Sequence, residues 1–465
     1  MTTALHHPHE PTSNTIRDGI MRYEPRSLRT YTPTQAVLAR SAGIFHWTPE
    51  GRRLYDFTSG VLVANLGHNP QSWMRRFMQH MNWSEFNTPG DYSPALPLTA
   101  YNAVTPVEIE AARRLIELLQ SCRGGQRLQQ VLWAASGSEA IQKALWAALA
   151  RDRTRDLIVA TRYGFHGKKG LAGAVTGCEN DRERDPRVRF ISFPMAECAD
   201  LSQRGQPFDA APYRRELNAL LQQFGRRLSV LITEPYLGGG GSYHPPADYL
   251  HLLQTFCREH DVVFILDEIQ SNFGRTGELF AYERYGLEPD IVVLGKGLGN
   301  GVPVAAAVGR ADVLASLDYG EGSDTWSANP LACAAVLATL EEFAAGDVLA
   351  HRRRSSAVIE EGLVRLKKLP FIAHVRGEEG GMVWGVEFRD YAGRSAAEWA
   401  NAAVLACYQG EGNNGDGIHL LGPLARKVLR IAPPLVISET QAREAMTLLF
   451  RLLAPLATSV ADTRR

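Results

Sequence analysis

The chain lacks an excess of either charge and lacks long apolar runs. Its 465 residues carry 50 basic and 50 acidic side chains, so the formal net charge is zero. This composition forces no basic face on the protein, and we expect no nucleic-acid partner. No apolar run approaches the ~20 residues that a membrane-spanning helix needs, and the first ten residues do not resemble a secretory signal. We therefore expect no membrane partner.

Cysteine is also scarce. The six cysteines are widely scattered, without the CxxC spacing of a metal site or the density of a disulfide framework. This pattern favours a reducing compartment. We predict a cytoplasmic protein with no bound metal.

Lysine is scarce too, with 7 lysines against 43 arginines. Six lysines occupy polar doublets, a predicted helix or a polar approach to a strand, but Lys296 follows a short apolar run and stands among alternating glycines. Burial at an apolar strand end lowers the pKa of an amine, and glycines let a bulky group approach the backbone. A neutral amine in such a place is a nucleophile suited to Schiff-base chemistry. A loop lysine after a buried strand fits the local sequence equally well.

The length suggests two or three domains. In the middle of the chain, apolar strands alternate with amphipathic helices, which predicts an α/β fold with a mostly parallel sheet covered on both faces. The predicted strands are residues 131–135, 156–161, 229–234, 262–267, 291–294 and 302–308. After residue 329 the pattern becomes a long helical region followed by two strands and a helix, which predicts a smaller α+β domain.

Polar residues follow several of these strands, and ligands of α/β sheets bind beyond the carboxyl ends of strands. Ser136, Gly137 and Ser138 come after the first strand and open a helix, where amide and hydroxyl donors can face an anion. Ser136 and Glu139 also have the spacing of an ordinary capping box. Both interpretations stay open for this tetrapeptide.

Two further strand ends carry candidate ligand-binding residues. Phe165 and His166 follow the second strand, where an aromatic ring stacks on a planar ligand or simply packs. Asp267 ends a wholly apolar strand, so its carboxylate requires a partner, either a protonated ring nitrogen or a buried arginine. Together with Lys296, these features fit one ligand with an anionic end, a flat ring, a basic ring nitrogen and an aldehyde. Pyridoxal phosphate has all four, and we predict it as the cofactor.

The chain resembles the class III aminotransferases, which are pyridoxal-phosphate enzymes of fold type I, from about residue 31 to residue 453. The strongest motif is LDEIQSNFGRTG at 266–277, followed by GKG at 295–297. The supporting motifs are NLGH at 65–68, SGSEA at 136–140, TWSANPL at 325–331 and RIAPPL at 430–435. The resemblance implies a large domain with a mostly parallel seven-stranded sheet between helices, and a small α+β domain built from both chain ends.

The domain boundaries that we expect from this resemblance are as follows. Residues 1–20 form a flexible arm, 21–75 the N-terminal segment of the small domain, 76–330 the large cofactor-binding domain, and 331–465 the C-terminal small domain.

The resemblance also implies a role for individual residues. Lys296 forms the Schiff base with the cofactor and then shuttles a proton, while Asp267 pairs with the ring nitrogen. Arg430 matches the arginine that grips the substrate carboxylate, a task that suits its bidentate fork. The remaining implied cofactor-binding residues are Ser136, Gly137 and Ser138 at the phosphate, Phe165 on the ring with His166 beside it, Ile269 on the opposite ring face with Gln270, and Thr325 at the phosphate of the neighbouring subunit's cofactor. The working unit implied is a homodimer with shared active sites.

One stretch departs from the family pattern. Many relatives have a second glutamate in the segment that follows the Glu-Pro pair, and here Gly239 stands in its place. Tyr236 and Trp326 add aromatic groups nearby. We interpret Gly239, Tyr236 and Trp326 as a roomy substrate pocket suited to a bulky polar substrate such as an amino sugar. A merely flexible loop fits the glycines equally well.

The sequence therefore predicts a pyridoxal-phosphate-dependent aminotransferase that moves an amino group from an amino-acid donor to a carbonyl acceptor by a ping-pong route. An amino sugar or aminoglycoside of antibiotic biosynthesis is one acceptor that this pocket suggests. The alternatives on the same cofactor are deoxygenation of an aminoglycoside by elimination, amino-acid racemisation and decarboxylation. A non-enzymatic cofactor-binding protein is disfavoured by the joint presence of Lys296, Asp267 and Arg430.

Overall fold

A computed structural model describes residues 4–83, 91–181, 184–412 and 415–458. The chain divides into two units. The first unit comprises Met1–Pro70, Ala199–Leu201 and Val348–Arg465, and the second comprises Gln71–Cys198 and Ser202–Asp347.

The expected domain boundaries, after residues 20, 75 and 330, stay predictions. The predicted boundary after residue 75 lies near Pro70, whereas residues 331–347, predicted for the small domain, group with the second unit. Residues 1–3 of the predicted arm and 459–465 of the predicted C-terminal domain lie outside the described residues.

The strands are short and are numbered in chain order. They are β1 (Arg40–Ala42), β2 (Phe45–Trp47), β3 (Arg53–Asp56), β4 (Gln130–Ala134), β5 (Leu157–Thr161), β6 (Val188–Ile191), β7 (Leu228–Thr233), β8 (Val263–Asp267), β9 (Ile291–Leu294), β10 (Ala305–Gly309), β11 (Ile372–Gly377), β12 (Trp384–Phe388), β13 (Gly417–His419) and β14 (Val428–Ile431).

The helices range from single turns to the 20 residues of the last one. They are α1 (Pro11–Tyr23), α2 (Ser59–Leu62), α3 (Gln71–His80), α4 (Pro106–Ser121), α5 (Gly137–Ala150), α6 (Gly170–Ala174), α7 (Ala211–Phe224), α8 (Ala247–Glu259), α9 (Ala281–Tyr285), α10 (Ala311–Leu314), α11 (Pro330–Ala345), α12 (Val348–Leu366), α13 (Ala396–Gln409) and α14 (Glu439–Thr458). Among the described residues, no helix is both long enough and apolar enough to cross a bilayer.

The second unit is built on a large sheet. Within the described residues this sheet has seven strands in the order β4-β10-β9-β8-β7-β5-β6. Strand β10 is antiparallel to both β4 and β9, while β9, β8, β7, β5 and β6 pair in parallel. Strands β5, β7, β8, β9 and β10 are buried along their whole length, as the sequence predicts for parallel strands covered on both faces.

Helix α5 packs closely against this sheet. It follows β4 directly and carries alanines on its buried side, and alanine allows close approach because its side chain ends at Cβ. One core cluster joins the helix to the strands of the sheet, and its members include Ala140, Ala144, Ala148, Ile158, Val230, Ile265 and Val293. Because β4 runs in the same direction as β8 and β9, the start of α5 lies at the carboxyl edge of the sheet.

The first unit contains two smaller sheets. One has the order β1-β2-β3-β13, with β13 parallel to β3, and the other has the antiparallel order β11-β12-β14. Helices α12 and α14 pack against each other, and α13 packs on β12, β13 and β14. Strands near both ends of the chain therefore share one sheet, which agrees with a small domain assembled from the two chain ends.

Helix α1 differs from the flexible arm expected for residues 1–20. Its Arg17 is buried and donates to Glu10 Oε2 at 2.7 Å, and Arg52 donates to Glu10 Oε1 at 2.6 Å. The hydroxyl of Tyr408 donates to the same Glu10 carboxylate at 2.9 Å. A buried carboxylate shared by two guanidinium groups fixes the helix to the unit, because separating these charges would leave each one unpaired in an apolar setting.

Glu10→Gln should destabilise the protein strongly. Removing the shared carboxylate leaves two buried arginines without their charge partner, and such a change costs about 3–5 kcal/mol. The matched control is Asp18→Asn on the same helix, where an exposed pair with His6 is removed at a cost below about 1 kcal/mol. Urea denaturation measures both, and equal midpoints for the two variants would contradict the buried network.

Candidate active site

The candidate site is set by two neighbouring strand ends in the second unit. Strand β8 ends at Asp267 and pairs in parallel with β9, with Asp267 opposite Val293. Strand β9 ends at Leu294, and a single 3₁₀ turn, Lys296–Leu298, begins two residues later. Asp267 and Lys296 therefore lie at the same carboxyl edge of the sheet, where ligands of such sheets bind.

The backbone at Lys296 is held in an uncommon conformation. Its φ angle is 47°, which lies in the left-handed region that residues other than glycine rarely adopt. The preceding Gly295 is fixed by Asn272, whose Nδ2 donates to its carbonyl at 3.1 Å. Such strain persists only where neighbouring contacts enforce it, and it is concentrated at functional sites.

Asp267 has a partner other than the two that the sequence suggests. It is buried, and its Oδ2 lies 2.7 Å from Nδ1 of His166, while its Oδ1 accepts from the Ile269 backbone at 3.0 Å. A carboxylate offers about four acceptor positions, so Asp267 keeps capacity for a cationic ring nitrogen. Within the described residues, Nε2 of the buried His166 has no hydrogen-bond partner.

A second buried carboxylate, Glu234, lies directly after β7 and had no predicted role. Its Oε2 accepts from the Phe165 backbone at 2.8 Å, and its Oε1 accepts from the Gly238 backbone at 3.2 Å and from Nε2 of Gln270 at 3.1 Å. Burial raises the pKa of Glu234 to about 7; the His166 charge and the two backbone donors oppose this rise, and the Asp267 charge adds to it. Glu234 thus connects the loops that carry Phe165 and Gln270.

The start of helix α5 is both a capped end and a close-packed one. Ser136 accepts from the Glu139 amide at 3.4 Å and Glu139 accepts from the Ser136 amide at 3.1 Å, so the capping box is present. At Gly137 a Cβ atom would lie only 2.8 Å from Cδ1 of Ile269. A side chain at this position would therefore displace the end of the Ile269 side chain. Gly137 lies against Ile269, and the cofactor-binding roles of Ser136, Gly137, Ser138 and Ile269 stay predictions.

A cleft of about 1120 Å³ opens beside this helix start. Its lining includes Ser136, Ser138 and Phe165 together with the cationic Lys168, Lys169 and Arg187. The lining also carries Glu139, Asp185 and Asp324, and Arg187 pairs with Asp185 at 2.8 Å. Lys168 and Lys169, beside a helix start, suit an anionic group. Among the described residues, the lining of the cleft includes neither Asp267 nor Lys296.

The glycine segment after β7 does not leave open space beside Phe165. At Gly239 a Cβ atom would lie 2.9 Å from Cβ of Phe165, so the two backbones approach too closely for any side chain. Tyr236 is buried, stacks on His244 with ring centroids 4.5 Å apart, and donates its hydroxyl to the Gln270 carbonyl at 3.3 Å. The roomy pocket expected at Gly239 and Tyr236 is therefore replaced by close packing that supports Phe165 and Gln270.

Thr325 and Trp326 lie on an exposed segment that a buried lysine holds in place. Nζ of Lys143 donates to Asp324 Oδ2 and to Ser327 Oγ, each at 2.6 Å, and to the Trp133 carbonyl at 2.7 Å. Lys143 had no predicted role. A single lysine in an otherwise apolar stretch of α5 is the sequence feature that could have indicated a buried ion pair there. It ties the segment that carries Thr325 and Trp326 to the helix that begins at Ser136.

Arg430 belongs to the first unit. It lies on β14, opposite Gly385 of β12, and its side chain is buried. Its role as a carboxylate-binding residue stays a prediction.

Comparisons with known proteins agree over nearly the whole chain. The profile of the family Aminotransferase class-III matches residues 27–453. The chain is 27% identical to the acetylornithine aminotransferase of Oceanobacillus iheyensis over 428 residues, covering 89% of this chain and 92% of that protein. It is 26% identical to the ornithine aminotransferase of Emericella nidulans over 454 residues, covering 96% of this chain and 91% of that protein.

A solved structure shares the fold. The ornithine aminotransferase of Toxoplasma gondii ME49 matches with a TM-score of 0.79 at 24% identity, covering 96% of both chains. Together these matches confirm the predicted α/β fold of type I.

Glu234→Gln should flatten the pH dependence of stability. Because the carboxyl of Glu234 has a pKa of about 7 in the folded protein against 4.5 ordinarily, its contribution to stability is present below pH 4.5 and is lost as pH rises through 7. The loss is at most about 1.4 kcal/mol per pH unit. Urea denaturation between about pH 5 and 8 should show a smaller decline for Glu234→Gln than for the parent. The control is Glu259→Gln at an exposed position, and a parent-like decline in Glu234→Gln would contradict the prediction.

Proposed function

We propose amino transfer between an ornithine-type amine and a keto acid as the reaction of this chain, which belongs to the class III aminotransferase family. Members of this family are transferases that depend on pyridoxal phosphate, so the predicted enzyme class and cofactor are confirmed. The observation that carries the proposal is the placement of Asp267 and Lys296 at adjacent parallel strand ends.

The residues present fit the cofactor. A Cβ atom at Gly137 would lie 2.8 Å from the end of the Ile269 side chain, and a Cβ atom at Gly295 would contact Ile269 at 3.4 Å. These contacts shape a narrow, glycine-lined surface around the Ile269 side chain. Asp267 is buried and retains acceptor capacity for a protonated ring nitrogen. When bound, pyridoxal phosphate supplies an electron sink for the charge that develops at the reacting carbon.

Each chain residue then has a physical task. Asp267 keeps the ring nitrogen protonated, because a buried carboxylate favours a cationic partner. His166 orients Asp267 through the 2.7 Å hydrogen bond and so fixes which carboxylate oxygen is available. The start of α5, with Ser136, Gly137 and Ser138, binds the phosphate through backbone amides and the helix dipole. The amine of Lys296 holds the cofactor and moves the proton at the reacting carbon.

The donor class is supported by the relatives. The matches to the acetylornithine and ornithine aminotransferases cited above cover 89% and 96% of this chain and 92% and 91% of those proteins. An amino sugar has no support from these relatives, and the close packing at Gly239 and Phe165 removes the space that suggested it. Elimination, racemisation and decarboxylation are not favoured by any of these contacts.

We also infer a homodimer with shared sites. Thr325 and Trp326 are exposed on the segment that Lys143 anchors, and Phe165 and Tyr319 are exposed as well. An exposed set of aromatic groups suits a protein interface. In this arrangement Thr325 reaches the phosphate bound by the partner subunit, so each site needs both chains.

A donor panel tests the reaction. L-ornithine, N²-acetyl-L-ornithine, 4-aminobutyrate and glucosamine are each mixed with the holoenzyme, and the cofactor is extracted and separated by chromatography. We expect the amine form of the cofactor to accumulate fastest with the two ornithine compounds, and 2-oxoglutarate to restore the aldehyde form. Accumulation with glucosamine alone would contradict the donor class. Ammonia release without a keto acid would indicate elimination instead.

Arg430→Ala should weaken carboxylate binding selectively. A charge-assisted pair contributes about 1.5–3 kcal/mol, so we expect KM for carboxylate donors to rise about tenfold to a hundredfold. Arg430→Lys keeps the charge without the bidentate fork and should show an intermediate KM. An amine without a carboxylate, such as 1,4-diaminobutane, is the control substrate. An equal rise in KM for both donors would contradict the role of Arg430.

A further inference from the structure

A buried group of metal-ligating side chains lies in the first unit. It consists of His46 on β2, Asp56 at the end of β3, and His68, and the proposed reaction uses none of them. One ligand atom from each residue lies within 4.8 Å of the others. The prediction of no bound metal rested on the spacing of the cysteines. This group consists of histidine and aspartate, so that argument does not apply to it.

Asp56 is arranged to present one oxygen to the two imidazoles. Its Oδ1 accepts from the Thr58 amide at 2.7 Å, the Thr58 hydroxyl at 2.7 Å and the Ser59 amide at 3.1 Å. The three hydrogen bonds to Oδ1 therefore fix the orientation of the Asp56 carboxylate. Its Oδ2 lies 2.7 Å from Nε2 of His68 and 3.4 Å from Nε2 of His46.

His46 supplies an independent sign of a ligand. The residue is 3% exposed, and within the described residues its Nε2 has no hydrogen-bond partner. Its other ring nitrogen, Nδ1, lies 2.7 Å from Oγ of Ser41. In the tautomer whose Nδ1 donates to this hydroxyl, Nε2 carries a lone pair that is available to a cation. Metal-ligating histidines are oriented in this way by a second partner.

The separation of His46 and Asp56 fits a tetrahedral cation. With metal–ligand distances of about 2.0–2.1 Å, tetrahedral ligand atoms lie about 3.4 Å apart. The pair of His46 and Asp56 already has this separation, at 3.4 Å. The pair of His68 and Asp56, at 2.7 Å, is at hydrogen-bond distance and must open by about 0.7 Å to admit the metal. The His68 side chain is 17% exposed and gives the ion a route from solvent.

Hydrogen bonding alone is the competing explanation for the same group. It accounts for the contact between His68 and Asp56, whereas Nε2 of the buried His46 lies 3.4 Å from the same carboxylate oxygen without hydrogen-bond geometry within the described residues. The ring of His419 packs edge-on to His46, with centroids 5.5 Å apart, and closes that side of the group without offering a ligand atom within range. A cation gives all three ligands a partner at once.

We propose that His46, Asp56 and His68 form a binding site for a divalent first-row metal ion, with zinc as the best fit and water as the fourth ligand. Two imidazoles and one carboxylate are a common protein ligand set for zinc. The bound ion joins β2, β3 and the segment that follows α2. Residues of α2 adopt φ angles of 48° to 67°, a left-handed turn that costs about 1–2 kcal/mol per residue other than glycine. The site therefore stabilises a strained connection.

Zinc titration of the holoenzyme tests the site. After treatment with a chelator and gel filtration, isothermal titration with Zn²⁺ should show one equivalent bound per chain. His46→Gln should lose that equivalent. Ser41→Ala keeps all three ligands but removes the partner of Nδ1, and it should weaken zinc binding about 10- to 100-fold. Co²⁺ in the parent should give visible d–d absorption, and His46→Gln should not.

The N-terminal histidines provide the matched control. His6 and His9 are exposed and capable of binding zinc adventitiously, so the double variant His6→Gln with His9→Gln should keep the equivalent. Absence of zinc binding by the parent would overturn the proposal, as would retention of the equivalent in His46→Gln or its loss in the N-terminal variant. If His46→Gln fails to fold, the Ser41→Ala affinity decides, and parent-like affinity there would overturn the proposal.

Discussion

The parallel pairing of β8 with β9 is the contact on which the candidate active site depends. It sets Asp267 opposite Val293 and so brings the carboxylate to the edge from which the Lys296 turn emerges. Both strands are wholly buried, and their apolar side chains join one core with helix α5. A slip of one residue in this register would reverse the faces of every side chain on the strand and is therefore opposed by the whole core. The active-site geometry thus derives from ordinary hydrophobic packing.

Buried carboxylates then connect the loops at this edge. Asp267 holds His166, which follows β5, and Glu234 after β7 holds the Phe165 backbone and the Gln270 side chain. Each carboxylate is costly to bury, and each is offset by donors from a different strand end. Three neighbouring strands are therefore linked through charge-assisted hydrogen bonds as well as through the sheet. The glycine at 239 has its place in this arrangement, because it lets the segment after β7 approach Phe165.

The sequence predicts features that arise from local pattern and misses those that arise from distant contacts. The apolar run at 291–294 predicts β9 with its observed bounds, and the strand that ends at Asp267 is predicted to within one residue. Strand β6 has only four residues, one of them an arginine, so its pattern is weak. The pairing of Asp267 with His166 joins residues 101 positions apart, and no spacing rule indicates it. The anchoring of α1 by Glu10, Arg52 and Tyr408 likewise depends on chain segments far apart in sequence.

The central claim is that Lys296 is the residue that binds the cofactor covalently. Borohydride reduction of the holoenzyme, followed by proteolysis and peptide mass spectrometry, tests it most directly. The account predicts one modified site, a pyridoxyl-phosphate adduct on the peptide that contains Lys296, and complete loss of the adduct in Lys296→Ala. An adduct on any other lysine of the parent, or a reducible adduct that persists in Lys296→Ala, would contradict the claim.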